Sequence, residues 1–475
     1  MGSSKLLYDF TKGLIIVLSL FNSGECFSQK QGNIWYFGGN SIEPDSLCTG
    51  LDFNSGNPVL LNNGAMLTPA GSASYCNSAG ELLFYSNGAQ VYDRTHHVMQ
   101  NGDKLGGDIY TQQSVLIVPF AKDTNRYYIF TNDRFSPSDK AATGLHYSII
   151  DMQLSNGNGS VLNPKAVSLL KKNSTHLTGC KHYNGNDFWV ITSTEDSCQL
   201  IAFQITDVGI KAPIISYLNL SSPPPMNIEI SPKGNKIALK AKGINGRYYR
   251  YIIDFNSSTG QFSNPYPIFM ELGSGTYNSG CSFSPNGDLF YDIEVDTSRK
   301  YLLHQYDLKA ANIKSSRVLI SDFGSKWRFD MQIGPDNKIY IGGFSTTYLD
   351  QIAKPNEIGQ NCLFKKNYIF LGENKEGILL PNETLFVSGF TNLISTSKNQ
   401  LFDFSFNHDS NSFTFKAPDS RKYKCMLYSL QGQLLLNNEV EDNSQFNASN
   451  IPTGLIIYSI VSGLNVIQTG KVLIY

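Results

Sequence analysis

Short apolar runs, each preceded by a tight turn, recur along most of the chain. In three segments an apolar residue leads into a proline-containing turn and then into a strand of alternating character, at residues 230–239, 283–291 and 333–341. Proline fixes φ at the second turn position, and Gly or Asn accepts the positive φ that follows. The prolines Pro232, Pro285 and Pro335 are 53 and 50 residues apart. The pattern predicts a β-hairpin that recurs in each unit of this length.

Weaker copies of the turn extend the repeat towards the N-terminus. The residues that mark the turns are Gly80, Asn125, Gly185, Gly234, Gly287 and Asn337. Successive marks are 45, 60, 49, 53 and 50 residues apart, and second hairpins such as residues 247–260 lie between them. About four short strands in each interval predict the blades of a β-propeller.

The number of blades follows from one more unit at the N-terminal end. Residues 33–37 and 51–56 begin this unit, so the prediction is an all-β, seven-bladed propeller, with six or eight blades also compatible with the spacing. A propeller must close its ring or leave a sheet edge exposed. We expect the strand around residues 34–37 to pair with the last blade near residues 384–390. An open β-solenoid is the alternative, although its repeat would be shorter.

The last 80 residues have a different pattern. After residue 390 the repeat stops, and a polar Ser/Thr/Asn-containing stretch covers residues 391–400. Strand-like runs follow at residues 402–406, 413–416, 422–428, 433–436, 455–461 and 470–475. This pattern predicts a small C-terminal β-sandwich.

The first 28 residues have the pattern of a secretory signal. Lys5 and Lys12 provide the positively charged N-terminal region of such a signal. An apolar stretch of nine residues follows at 13–21, which is too short for the roughly 20 residues that span a bilayer. Small residues near Ser28 suit cleavage before Gln29. A lipid anchor on Cys26 is the alternative, but Glu25 stands where a small residue should precede that cysteine. No later segment has 18 consecutive apolar residues, so we expect an exported chain without a transmembrane segment.

Composition narrows the class of partner. The chain has 475 residues with 38 Lys+Arg and 39 Asp+Glu, a formal net charge of −1, which argues against a nucleic-acid partner. Aromatic residues make up 12% and charged residues 16%, which is typical of a β-rich globular protein rather than a disordered chain or a helical bundle.

Seven of the eight cysteines remain after signal removal, and none forms a C-x-x-C motif. Cys180 and Cys198 flank the strand at residues 188–192 and either bridge neighbouring strands or stay as small buried residues.

The motif search predicts no catalytic residue, no metal ligand and no cofactor. Zincin, nucleophile-elbow and EF-hand spacings do not occur. Adjacent strand residues point to opposite faces, so His96 and His97 are interpreted as turn-lining residues rather than as a metal site. Residues 133–143 and 221–225 are interpreted as polar loops.

Two resemblances to known families predict how the protein is exported and where it is located. Residues 428–436, 451–458 and 470–474 resemble the type A sorting domain of the type IX secretion system of Bacteroidota, through Gly432, Gly454, Tyr458 and Lys471. In that family a C-terminal β-sandwich directs passage through the outer membrane and is usually cleaved. Three residues separate Gly454 from Tyr458, where the family usually has a shorter spacing. An ordinary C-terminal sandwich for binding is the alternative.

Residues 32–390 resemble the propeller-bearing (WD40- and YVTN-like) cargo of the same bacteria, through segments such as residues 32–38, 51–56, 127–131 and 188–192. The predicted domains are a signal peptide at 1–28, a propeller at 29–394 and a sorting sandwich at 395–475. The type IX machinery is then an implied partner, and the implied location is the medium or the outer cell surface.

Two functions stay open at this point. The preferred hypothesis is a non-enzymatic binding or adhesion module for an unknown glycan or protein. The alternative is a glycan-directed extracellular hydrolase with its site in the propeller channel, which requires two carboxyl groups in one pocket.

Overall fold

The structure is a computed structural model, and it describes residues 30–38, 48–133, 144–171, 175–194, 199–218, 220–242, 248–270, 280–343, 347–372, 379–382, 402–407, 410–417, 421–429, 434–449, 451–462 and 465–474. The chain divides into two compact units, Met1–Gly389 and Phe390–Tyr475. The predicted signal peptide, the predicted domain division at residue 394 and the closing segment 384–390 lie outside the described residues. No helix among the described residues is long and apolar enough to cross a membrane.

The first unit is a seven-bladed β-propeller, as predicted. Its strands pair antiparallel within seven sheets. Blades 1 to 3 consist of β1 (Ile34–Phe37), β2 (Cys48–Asp52) and β3 (Val59–Gly64); β4 (Ala73–Cys76), β5 (Leu82–Ser86) and β6 (Val91–Asp93); and β7 (Val115–Pro119), β8 (Arg126–Asn132), β9 (Leu145–Asp151), β10 (Ser160–Val161) and β11 (Val167–Leu170).

Blades 4 to 7 have the same antiparallel order. They consist of β12 (Thr178–Lys181), β13 (Phe188–Ser193), β14 (Gln199–Thr206), β15 (Gly209–Ile210) and β16 (Ile214–Tyr217); β17 (Ser221–Ile230), β18 (Lys236–Lys242), β19 (Tyr248–Asn256) and β20 (Gln261–Met270); β21 (Cys281–Phe283), β22 (Leu289–Val295), β23 (Tyr301–Asp307) and β24 (Val318–Asp322); and β25 (Asp330–Ile333), β26 (Ile339–Gly342), β27 (Tyr348–Ile352) and β28 (Phe364–Phe370). Three short 3₁₀ turns, Ser155–Gly157, Lys314–Ser316 and Gly359–Cys362, accompany the described strands.

The predicted turn marks are confirmed. All six lie between the first and second strands of successive blades, from blade 2 to blade 7. Five of them have positive φ: Gly80 (88°), Gly185 (75°), Gly234 (61°), Gly287 (67°) and Asn337 (59°). A left-handed backbone is inexpensive for Gly and tolerated by Asn, so this chemistry places the turns.

Apolar packing between neighbouring blades closes the ring. Continuous buried clusters join each blade to the next, from blade 1 through to blade 7. The last contact joins blade 7 to blade 1, where Trp35 and Phe37 pack with Tyr340 and Leu349. The rings of Trp35 and Tyr340 meet edge to face, with centroids 5.8 Å apart. The strand pairing predicted for residues 384–390 is not tested and stays a prediction.

Blade 1 differs from the other blades in the direction of its innermost described strand. Asn54 accepts a hydrogen bond from Asn33 and donates one to the Gly80 carbonyl, at 3.0 and 2.9 Å, so β1 begins beside the β4–β5 turn. Ser72 donates to the Tyr36 carbonyl at 2.9 Å, so β1 ends beside the start of β4. β1 therefore runs antiparallel to β4, in the direction that second strands take.

The prediction of a polar loop at residues 221–225 is wrong. Ser221 pairs with Lys242 and Met226 with Lys240, which places the segment in β17. Proline and the residue before it both prefer extended backbone, so consecutive prolines are compatible with a strand that has an irregular register.

The second unit is a β-sandwich. One sheet contains β29 (Asp403–Asn407), β30 (Ser412–Lys416) and β33 (Ser444–Asn447), and the other contains β31 (Tyr423–Tyr428), β32 (Leu434–Val440), β34 (Gly454–Ser462) and β35 (Asn465–Ile474). Aromatic and aliphatic side chains of both sheets form one core. Only β33 was not predicted, because Phe446 is its single apolar residue.

Candidate functional site

Polar side chains from the first strands of several blades meet at one end of the central channel. Because side chains alternate along a strand, Asn227 and Glu229 of β17 face the cavity while Ile228 and Ile230 are buried in the blade. Asp330 and Gln332 of β25 face it in the same way. The complete lining is Gln112, Gln113, His176, Asn227, Glu229, Phe329, Asp330, Gln332, Leu379, Leu380, Pro381 and Asn382.

A β-bulge positions Glu229 at this cavity. Between Met226 and Glu229, β17 advances three residues while β18 advances two, from Lys240 to Ala238. Asn227 has a φ of 51°, a left-handed conformation that Asn adopts more readily than most residues. Bulges of this kind redirect side chains and are enriched near functional sites.

The segment Leu379–Asn382 crosses the channel and is called here the crossing segment. The Leu380 N–H donates to Asp330 Oδ2 at 2.8 Å. The Asn382 side-chain amide donates to the carbonyls of Val115 and Leu177 at 3.0 and 2.8 Å. The Asn382 N–H donates to the Ser72 carbonyl at 2.7 Å. The crossing segment thus connects blade 7 to the first strand of blade 3. It also contacts the residues that come directly before the first strands of blades 2 and 4.

Gln113 forms further hydrogen bonds between blades at the end of the channel that the crossing segment spans. Its side-chain amide donates to the Ile228 carbonyl at 3.0 Å and accepts from the Leu177 N–H at 3.3 Å. The Asn132 amide donates to the Gln113 carbonyl at 3.3 Å. These bonds and the crossing segment leave about 20 Å³ of space for water, enough for about one molecule.

Burial raises the pKa of both carboxyl groups of the cavity, and it does so more strongly for Glu229. Burial raises the pKa of Glu229 well above its usual range, and Asp330 raises it further, while Arg250 opposes the shift. Burial also raises the pKa of Asp330 to about 6, although N–H groups of Leu380 and Met331 donate to its carboxylate. Burial lowers the pKa of His176 to about 4, so its ring is neutral at pH 7. At pH 7 the cavity therefore presents a neutral His176 ring, a Glu229 carboxyl group that favours its neutral acid, and an Asp330 carboxyl group that is largely ionised.

A buried ion pair lies between blades 5 and 6, close enough to Glu229 to affect its pKa. Arg250 Nη2 is 2.8 Å from Asp292 Oδ1, and each side chain is only 2% exposed. Burial raises the pKa of Asp292 to about 6, while Arg250 lowers it. Further along β22, Glu294 lies 3.1 Å from His304 Nδ1. A buried pair of this kind requires both partners, because either charge alone would be uncompensated.

The residues predicted for the sorting motif lie in the other unit. Gly454 begins β34, and Tyr458 on the same strand is buried with its ring centroid 4.6 Å from that of Phe404. Lys471 lies on the adjacent strand β35, opposite Ile457. Gly432 lies outside the described residues. The sheet thus brings three of the four positions onto neighbouring strands.

The adjacent residues His96 and His97 contact different partners. His96 occupies a turn with a φ of 65°, and its ring nitrogens lie 2.9 and 3.1 Å from Asn63 Nδ2 and Tyr85 Oη. His97 Nδ1 is 3.1 Å from Thr95 Oγ1. This arrangement agrees with turn-lining roles.

Metal-type ligands and cysteines give no further candidate. Within the described ranges no three His, Cys, Asp or Glu side chains are grouped so that they could hold a metal ion. Cys180 is a free, buried thiol, and Cys198 lies outside the described residues.

The channel residues were not predicted from the sequence, although the repeat carries a signal for them. Counting back from Pro232, Pro285 and Pro335, the third residue before each proline is Glu229, Ser282 and Gln332. The fifth residue before each is Asn227, Gly280 and Asp330. These alternate positions precede each turn on the first strand, so in two of the three repeats they mark the cavity lining.

Comparisons with known proteins find similarity only to solved structures, at low sequence identity. No family model and no curated protein matches the chain. Among solved structures, a Lactobacillus plantarum protein is 12% identical, covers 74% of this chain and 97% of its own, and has a TM-score of 0.44. A structure described as a candidate 6-phosphogluconolactonase from Bacteroides fragilis is 11% identical, with coverages of 90% and 98% and a TM-score of 0.37. A quinoprotein alcohol dehydrogenase-like protein from Bacteroides thetaiotaomicron is 12% identical, with coverages of 89% and 78% and a TM-score of 0.35.

Proposed function

We propose that this protein is an exported, non-enzymatic binding module that contacts its ligand at the channel mouth. We use this term for the opening of the cavity that Glu229, Asp330 and Gln332 line. The proposal includes export through the type IX secretion system by residues 395–475, and release into the medium or attachment to the outer cell surface. A glycan or a protein is the class of partner that a near-neutral surface suits, since recognition then depends on shape and polar contacts.

The closure of the channel supports this proposal. A glycosidase needs two carboxyl groups about 5–9.5 Å apart on either side of a scissile bond, with room for a sugar ring between them. Here the crossing segment hydrogen-bonds to Asp330 and the cavity has space for about one water. Among the described residues, this space is too small for a sugar ring to lie between Glu229 and Asp330.

A hydrolase is the second candidate, and one observation favours it. Glu229 and Asp330 line the same cavity, and burial raises the pKa of both carboxyl groups. A carboxyl group with a raised pKa is suited to donate a proton to a leaving group.

A screen of the mature chain, residues 29–475, separates the two candidates. We expect binding on a glycan or protein array without any hydrolysis product, because the closed cavity prevents a scissile bond from reaching both carboxyl groups. The same screen is run on Glu229→Gln, Asp330→Asn and, as a matched control, Glu81→Gln in an exposed turn. Products that the wild type and the control release, and that both channel variants fail to release, would establish the hydrolase instead.

Export is tested by deleting residues 395–475 in a bacterium that carries the type IX machinery. We expect the shortened protein to accumulate in the periplasm, because the segment that resembles a sorting domain is then missing. Immunoblots of periplasm, cell surface and medium measure the distribution. Undiminished secretion of a folded, shortened protein would refute the sorting role.

A further inference from the structure

We infer that the channel mouth binds a hydroxyl group of a neutral glycan, with Gln332 and Glu229 as its hydrogen-bonding partners and Trp327 as a stacking surface for the sugar ring. This inference rests on the binding function proposed above, and it specifies the class of ligand and the residues that recognise it.

Gln332 is the first of the two proposed hydrogen-bonding partners. Its backbone pairs with Tyr340 in the sheet, the residue is only 8% exposed, and its side chain lines the cavity. Buried polar groups are generally satisfied by protein or by ordered water, so an amide that borders this space provides a position for water or a ligand. An amide offers both donors and an acceptor, and a hydroxyl group can satisfy both kinds at once.

Glu229 supplies a second group of the same kind. Its side chain lines the same cavity as that of Gln332, and burial and Asp330 both raise its pKa. Asp330, in contrast, already accepts N–H bonds from Leu380 and Met331. The Glu229 carboxyl group is therefore the one available to a ligand.

The charges around the cavity favour an uncharged ligand. An anionic group would approach Glu229 and Asp330, and it would lose favourable hydration without gaining a cationic partner in the lining. Arg250 lies behind the cavity, where Asp292 compensates its charge. A cationic group would need a carboxylate without other partners, but burial favours the neutral acid of Glu229, and the Asp330 carboxylate already accepts two N–H bonds. A hydroxyl group requires neither.

The size of the cavity determines which part of the ligand enters. Space for about one water admits a hydroxyl or hydroxymethyl group but not a sugar ring. The ring must then lie outside, where Trp327 is 50% exposed and packs on Phe329 with ring centroids 5.6 Å apart. Phe329 itself lines the cavity, so the contact between the two rings places Trp327 one side chain away from the lining. A half-exposed indole offers a broad apolar face to the C–H face of a sugar.

Tryptophan fluorescence gives a direct test, because the chain has three tryptophans and the other two, Trp35 and Trp189, are buried. The full mature chain is titrated with neutral methyl glycosides and neutral oligosaccharides, and with sialylated oligosaccharides of matched length. We expect at least one neutral glycan to shift the emission to shorter wavelength and to protect Trp327 from acrylamide, with no such effect of the sialylated series.

Variants assign the residues, with calorimetry as the measure of affinity. Gln332→Ala and Trp327→Ala are each expected to weaken binding about tenfold, the size of one lost hydrogen bond or ring contact. Glu229→Gln should change affinity less than about threefold, since a neutral amide retains the donor and the acceptor. Trp327→Phe should retain binding and abolish the fluorescence shift. Tyr183→Ala is the matched control, because this exposed tyrosine lies in the β12–β13 turn at the opposite end of the first strand.

The outcomes separate this inference from the function on which it rests. Binding only of sialylated glycans or only of a protein would overturn the neutral-glycan assignment and leave the binding function intact. Unchanged affinity in both Gln332→Ala and Trp327→Ala would overturn the site. Cleavage of a glycan during the titration, detected by mass spectrometry, would refute the non-enzymatic function itself.

Discussion

Arg250→Met is expected to lower the free energy of unfolding by about 3–5 kcal/mol at pH 8, because it leaves the Asp292 carboxylate buried without a partner. Both side chains are 2% exposed, with Arg250 Nη2 2.8 Å and Nε 3.1 Å from the same carboxylate oxygen. Urea unfolding measures the loss. Tryptophan fluorescence is a suitable probe, since all three tryptophans lie in the propeller unit.

The loss should be smaller at pH 5 than at pH 8. Burial raises the pKa of Asp292 to about 6 in the fold, above the value of about 3.9 for an unfolded chain. The stability that this carboxyl group contributes is therefore complete below about pH 4 and is lost as the pH rises through 6. Arg250 favours the ionised form, so its removal raises the pKa further and adds a penalty only where Asp292 would ionise.

Two further variants identify the cause. The double variant Arg250→Met/Asp292→Leu should recover most of the lost stability, because no uncompensated charge remains. Lys236→Met is the control, since the Lys236–Asp254 pair is solvent-exposed and should contribute about 1 kcal/mol or less. Equal losses at pH 5 and pH 8, or a double variant no more stable than the single one, would contradict a charge effect.

Trp35→Ala is expected to destabilise the propeller by about 3–5 kcal/mol, the range for truncating a buried tryptophan. Its indole is fully buried between blades 1 and 7 and packs against Phe53 and Tyr340, with centroid distances of 4.9 and 5.8 Å. The truncation leaves a cavity at the one contact where the ends of the repeat meet, and blades on either side cannot close it without moving.

Urea unfolding followed by the fluorescence of Trp189, the tryptophan that this variant and its control both retain, measures this loss. Trp327→Ala is the matched control, because this tryptophan is half-exposed and should cost about 1 kcal/mol or less. A loss of similar size in both variants would show that Trp35 has no special part in closing the ring.

The blade count and the turns were predictable because their signals are local. A Gly or Asn at a position of positive φ, such as Gly234, Gly287 or Asn337, acts within four residues of chain. The same is true of the apolar alternation in most strands of both units. Strand β33 escaped prediction because Ser444–Asn447 has one apolar residue, and its pairing with β30 depends on the partner sheet. The prolines of β17 led to the wrong prediction of a loop at residues 221–225 for a related reason. A composition typical of turns there forms extended backbone.

The channel site could not be predicted in the same way. Gln113, Glu229 and Asp330 come from three blades, and Asn382 reaches two further carbonyls that are 267 and 205 residues away in the chain. The pKa of Glu229 depends on Asp330 and Arg250, neither of which is near it in sequence. Motif searches detect residues that are close along the chain, and this site has no such motif.

The class of fold, the length of the repeat and the positions of its turns were therefore predictable from the chain, because backbone conformation depends mainly on neighbouring residues. The polar side chains that meet in the channel, the charges that are buried as pairs and the place where the chain crosses the ring became clear only in the folded molecule. Those features depend on burial and on distances between remote residues, and both are set by the packing of blade against blade.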